Sequence, residues 1–169
     1  DDGILGWAYF PNAQRPSQST HGDVWFSSSA LSTSDFADGT EGWLTVIHEI
    51  GHALGLGHPF TAPGDTGPQL PSATNNHLFT EMSYTRTWQV PGVRNSTASD
   101  GNPYGIDTPM LYDVMEIQRL YGATVDQNED NTTYRWNNAP FRETLRDTAG
   151  FDTIDASNFG TDQTIDLRP

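Results

Sequence analysis

The sequence predicts an α+β fold, and three observations carry that expectation. Apolar residues recur at helical spacing in two separate stretches of the middle of the chain; short apolar patches precede the first of them; and a polar tail with small apolar islands follows the second. Ile4 to Phe10 and Val24 to Phe26 read as two short strands, because the stretch between them holds Pro11, Pro16 and Gly22. From Asp38 the pattern changes. Trp43, Val46, Ile47, Ile50 and Leu54 recur every three or four residues, a helical stripe, with Asp38 and Glu41 spaced as a capping box and Gly55 and Gly57 as stops. Residues 61–109 are rich in Pro, Gly, Asn, Ser and Thr with little periodicity, so they read as a long irregular segment of the kind that carries function. A second helix is expected with Thr108 as N-cap, Pro109 as first residue, a packing stripe of Leu111, Val114, Ile117, Leu120 and Tyr121, and Gly122 as stop. Beyond it the islands Tyr134 to Trp136, Phe151 to Ile154, Phe159 and Ile165 to Leu167 suggest short strands of a different module. The expected domains are therefore residues 1–122 and 123–169.

Composition narrows the class of function. The chain has 169 residues, enough for one ordinary domain, and a mean hydropathy of −0.59. No stretch approaches the apolar length of a membrane helix. Twenty-two acidic residues against eight basic ones, all arginine, give a formal charge of −14. A nucleic-acid partner is not expected of such a surface, since phosphate binding requires a cationic face. Clustered Asp instead suits calcium, or simply solubility. With no cysteine, disulfides, thiolate metal sites and thiol nucleophiles are all excluded. Residues 1–10 have neither the charged start nor the apolar run of a signal peptide.

Residues 48–58 read HEIGHALGLGH. Four apart on a helix, His48 and His52 project from one face about one turn apart, which suits two ligands of one zinc. Glu49 is rotated by about 100° from His48, which places it beside the metal, where a carboxylate can take a proton from metal-bound water. Gly55 can adopt positive φ and turn the chain sharply, returning His58 as a third ligand. Three neutral imidazoles leave a fourth position open, the mark of a catalytic zinc. His21 and His77 lie in polar stretches without ligand spacing and are expected at the solvent surface; the five scattered tryptophans, Trp7, Trp25, Trp43, Trp88 and Trp136, are expected in packing.

The pattern HExxHxxGxxH resembles the zinc signature of the metzincin endopeptidases, and Pro59 after the third His resembles the serralysin branch. Glu81-Met82-Ser83-Tyr84 is similar to the Met-turn of that clan, Asp113 to Ala123 to the helix that closes the serralysin catalytic domain, and Gly22 to Ser27 to the edge strand that lines its cleft. The resemblance implies a metzincin-like catalytic domain: a mixed twisted sheet with an active-site helix and a closing helix, followed by the start of a β-rich, calcium-binding C-terminal domain. It implies a floor beneath the histidines for Met82, a zinc ligand and oxyanion partner for Tyr84, and a substrate-binding strand at Val24, Trp25, Phe26 and Ser27. Taken alone, Met82 reads as core filler and Tyr84 as a hydrogen-bonded core phenol.

Residues 147–155 (DTAGFDTID) resemble the entrance to the family's calcium-laden β-solenoid, although no complete GGxGxDxUx repeat is present. By similarity a calcium would sit between Asn128, Asp130 and Thr132 on one side and Asp147, Ala149 and Asp152 on the other; Asn128, Asp130 and Ala149 stand where the family has Arg, Gly and Gly. A polar turn is the plainer reading. A long helix and the first strands of the family's sheet have no counterpart before Asp1, so the chain reads as a fragment whose partners include the remaining parts of its own chain. Together these features predict a secreted bacterial zinc endopeptidase that cleaves extended proteins through a Glu-activated water. The alternative is an acidic, calcium-stabilised binding or structural module that keeps the zinc site without turnover.

Overall fold

The structure is a computed structural model and describes residues 4–11, 19–29, 31–37, 39–62, 67–86, 106–123, 128–136, 142–160 and 162–167. Asp38 and Trp88 lie outside these residues. The chain divides into two compact units, Asp1–Ala123 with Phe141–Thr144, and Thr124–Pro140 with Leu145–Pro169.

In the first unit, β1 (Gly6–Ala8) pairs antiparallel with β2 (Val24–Phe26) in the register Gly6↔Phe26, Trp7↔Trp25, Ala8↔Val24. The ladder is lengthened by Ser27 N–H to Leu5 O at 2.9 Å and Tyr9 N–H to Asp23 O at 3.0 Å. The outward faces carry Trp7 and Trp25, which stack at 6.1 Å with their planes 11° apart; both are about half exposed, so they are not interior packing residues.

Helix α1 spans Glu41–Leu54. Its N-cap is Thr40, whose hydroxyl accepts from Trp43 N–H at 3.2 Å. A β-hydroxyl at that position supplies the acceptor that the expectation had assigned to Asp38. The buried stripe also differs from the expected one. Leu44, Ile47, His48, Gly51 and His52 face inward, while Ile50 and Leu54 are exposed. The interior face is the one that bears the histidines, and the apolar periodicity is rotated away from it. Leu44 and Ile47 form the core with Ile106 and Met110, and half-buried Trp43 packs beside them with its indole N–H on Asp107 O at 2.9 Å.

Between the helices, residues 67–86 are turns without helix or strand. Helix α2 (Leu111–Tyr121) starts after Met110 rather than at Pro109, because the Asp113 carboxylate accepts Met110 N–H at 2.9 Å and fixes the first turn there. Thr108 instead accepts Thr144 N–H at 2.9 Å. Gly122 ends the helix, its N–H on Gln118 O. The expected packing stripe is only partly used: Leu111, Leu120 and Tyr121 are exposed, and the one buried residue is Asp113. Tyr121 hydroxyl donates to Leu54 O at 2.9 Å, satisfying a carbonyl at the end of α1.

In the second unit, β3 (Thr133–Arg135) pairs parallel with β4 (Thr153–Asp155). Phe159 and Ile165 to Leu167 form no strand. Among the described residues each unit thus holds one small two-stranded sheet, antiparallel in the first and parallel in the second.

Candidate metal centre and cleft

Helix α1 brings His48 and His52 to its inner face, and the backbone orients both rings. His48 Nδ1 is 3.1 Å from Glu81 O, and His52 Nδ1 is 2.8 Å from Leu56 O. Carbonyls only accept, so each Nδ1 carries the proton and each Nε2 keeps its lone pair. Burial also pulls the His48 imidazole down to about pH 4, with neighbouring His52 and His58 acting in the same direction, so the ring is neutral at pH 7. Gly55 is left-handed (φ 106°), and its N–H together with Leu56 N–H returns to Gly51 and His52 carbonyls. That reversal delivers His58.

The three Nε2 atoms converge: His58 is 3.3 Å from His48 and 3.2 Å from His52. Two of them are lone pairs, and one N–H on His58 could serve only one of the two. A shared cation satisfies all three. Tetrahedral ligands at 2.0–2.1 Å from zinc would stand about 3.3–3.4 Å apart, which the observed spacing matches. Among the described residues, these histidines are the group of His, Asp and Glu gathered closely enough to hold a metal ion.

Glu49 is buried beside them, and desolvation pushes its carboxyl up to about 7. Strand β1 passes so near that a Cβ on Gly6 would sit 3.1 Å from Glu49 Cγ. Glu49 and His48 open onto a cleft of about 330 Å³ that Ile4, Leu5 and Gly6, at the start of β1, line on one side. Val24 to Ser27 stand on β2 and just beyond it, beside β1, with Ser27 N–H on Leu5 O, and are not among the residues that line this cleft. Leu44 and Thr45 line the helix side, and Glu41 and Arg86, joined at 2.5 Å, stand among the remaining lining residues.

Met82 is 2% exposed and packs against α1 where Gly51 leaves room: a Cβ there would meet Met82 Sδ at 2.7 Å and Glu81 Oε1 at 3.0 Å. A glycine in the interior of a strong helix costs about 1 kcal/mol against alanine, a signal of close approach that the sequence offered and the motif obscured. Asp113 holds the same turn from α2. Its Oδ1 accepts Thr80 hydroxyl at 2.5 Å, and its Oδ2 accepts Glu81 N–H at 2.7 Å as well as Met110 N–H. Burial raises the Asp113 carboxyl, these three bonds opposing it; burial, then Asp113, drive the Glu81 carboxyl well upward.

His77 departs from expectation. It is 4% exposed, with Nε2 2.6 Å from Ser83 O and its own N–H on Thr85 O at 3.0 Å. Desolvation lowers it to about 4, so it serves as a neutral donor that pins the turn. His21 is half-buried.

Tyr84 is 65% exposed, yet its hydroxyl is 3.0 Å from His58 Nε2. Three ring contacts that periodicity could not foresee surround the histidines: Phe10 edge-on to His52 at 5.0 Å, Phe60 stacked on His58 at 5.0 Å, and Phe60 against Tyr84 at 4.9 Å.

In the second unit, the six residues expected around a calcium lie on two segments, 128–132 and 147–152, that hydrogen bonds link. Asp152 Oδ1 accepts Thr132 N–H at 3.0 Å, Thr132 hydroxyl donates to Asp130 O at 3.1 Å, and Asp147 Oδ1 accepts Ala149 N–H at 3.2 Å. Asn128, at φ 54°, donates to Tyr134 hydroxyl, which donates to Asp147 Oδ2 at 2.6 Å.

Comparison with known proteins gives consistent relatives. A serralysin of Proteus mirabilis is 32% identical over 180 residues, 96% of this chain and 35% of the relative. A serralysin of Photorhabdus luminescens is 31% identical over 187 residues, 98% of this chain and 36% of the relative. The metalloprotease AprA of Pseudomonas entomophila is 30% identical over 188 residues, 99% of this chain and 37% of the relative. The chain thus spans about a third of the length of these curated relatives. No family model matches it.

Proposed function

We propose, from the premise that this chain belongs to the serralysin-type metzincins, that it acts as a zinc-dependent endopeptidase on extended protein substrates. The observation that carries this reading is the convergence of His48, His52 and His58 with Glu49 beside them. These histidines would hold the metal, and Tyr84 stands next to the third. When bound, zinc supplies Lewis-acid polarisation and an acidified water.

The chain's own groups do the rest. An extended peptide pairs by main-chain hydrogen bonds along β2 at Val24 to Ser27, an arrangement that reads backbone common to all substrates. A Glu49 carboxylate oxygen takes the proton of the attacking water and returns it to the leaving amine. Burial supports that exchange, since a carboxyl near 7 gives up a proton at neutral pH. Tyr84 hydroxyl donates to the developing oxyanion, and Met82 supports the histidines from below.

In the second unit, Asn128, Asp130, Thr132, Asp147, Ala149 and Asp152 are read as a calcium site, oxygen-rich as a hard cation requires. The family reading also implies a secreted enzyme; among the described residues no helix is long and apolar enough to cross a membrane.

Metal analysis and casein digestion of two variants test the reading. Glu49→Ala should retain zinc and lose turnover, while His52→Ala should lose both. Casein cleavage that survives in Glu49→Ala, or that phenanthroline does not abolish, would overturn it.

A further inference from the structure

The third imidazole, His58, stands on the loop beyond the helix, and the Phe60 ring stacks on it. Phe60 follows it by two residues, across buried Pro59, whose carbonyl accepts Leu70 N–H at 2.9 Å and anchors the loop. The Phe60 ring lies 5.0 Å from His58 at 29° and 4.9 Å from Tyr84 at 55°; His58 and Tyr84 meet edge-on at 5.0 Å and 68°. Three rings thus contact one another pairwise. Tyr84 is largely exposed, and an exposed aromatic side chain samples more than one rotamer unless a neighbour restricts it.

We infer that Phe60 is a positioning residue: its ring, stacked on His58, confines Tyr84 to the rotamer that sets its hydroxyl against His58 Nε2. Hydrogen bonding of Tyr84 to the oxyanion then begins from a prearranged phenol. This rests on the function proposed for Tyr84 above, but the ring contact can be read without turnover.

The test uses the whole chain with Phe60→Ala, Phe60→Leu and Phe60→Tyr, each alone and combined with Tyr84→Phe. In metal-free protein, proton NMR should show the Tyr84 ring resonances shifted by Phe60, the shift lost in the Ala and Leu variants and kept in Phe60→Tyr. One aromatic pair corresponds to about a 2- to 10-fold change in population. With zinc, kcat should fall by about that factor in Phe60→Ala and Phe60→Leu, with KM little changed, recover in Phe60→Tyr, and not fall further when Tyr84 is already Phe. Unaltered Tyr84 resonances in folded Phe60→Leu, or an equal kcat loss with and without the Tyr84 hydroxyl, would overturn the inference. If the NMR pattern holds while zinc-loaded wild type cleaves no unfolded protein, the positioning contact stands and the endopeptidase reading falls.

Discussion

Removing the Asp113 carboxylate should unfasten the turn beneath the histidines. Asp113 is 2% exposed and accepts three hydrogen bonds, from Thr80 hydroxyl, Glu81 N–H and Met110 N–H. In Asp113→Ala each buried donor left unpaired costs about 1–3 kcal/mol. Loss of a carboxylate whose burial disfavours its charge offsets part of that sum, and we expect a net destabilisation of about 3 kcal/mol. At a denaturant slope of about 2 kcal/mol per molar urea, the unfolding midpoint followed by tryptophan fluorescence should drop by about 1.5 M. Asp113→Asn keeps one carbonyl oxygen for the two N–H groups and should lose about 1 kcal/mol. The pH dependence follows from the sign of the shift. A carboxyl raised in the folded state contributes stability that is present below its unfolded pKa and lost as pH rises through the folded one, so wild type should weaken relative to Asp113→Asn as pH climbs above about 4. The same turn supplies Glu81 O to His48, so zinc affinity should fall in Asp113→Ala in parallel. A midpoint shift below about 0.5 M in Asp113→Ala, corresponding to ~1 kcal/mol at that slope, or zinc affinity equal to wild type, would refute this reasoning.

Gly51→Ala forces a methyl to within 2.7 Å of Met82 Sδ and should cost about 1–3 kcal/mol in the same urea assay. Gly55→Ala places a Cβ at φ 106°, where the strain should cost about 1–2 kcal/mol and loosen His58, measured as weaker zinc in a chelator competition. Glu49→Gln should stabilise the metal-free protein at pH 8, because the wild-type carboxyl, raised to about 7, loses its favourable protonated contribution as pH rises through that value; a gain of about 1–3 kcal/mol is expected alongside lost activity.

The metal site was legible in the sequence because its ligands follow from one helix and one glycine: a four-residue spacing fixes His48 against His52, and Gly55 sets the return of His58. The cap and core of that helix were less legible. Asp38, Thr40 and Glu41 are all polar starts, and which side chain reaches an N–H depends on backbone angles that letters do not carry. The apolar stripe misled for a related reason: the inward face is occupied by His48, Gly51 and His52, polar or small residues that hydrophobic periodicity does not count. His77 and Asp113 were invisible as buried residues, since a His or Asp carries no burial signal of its own: His77 is fixed by carbonyls of the following turn, and Asp113 by Thr80 and Glu81, more than thirty residues away.

Zinc K-edge absorption of the full chain loaded with one equivalent of zinc tests the shared metal centre most directly. A shell dominated by nitrogen at about 2.0–2.1 Å with multiple scattering from three imidazoles, losing one imidazole in His58→Ala, is the expected result. An all-oxygen shell, or a spectrum unchanged by His58→Ala, would contradict it.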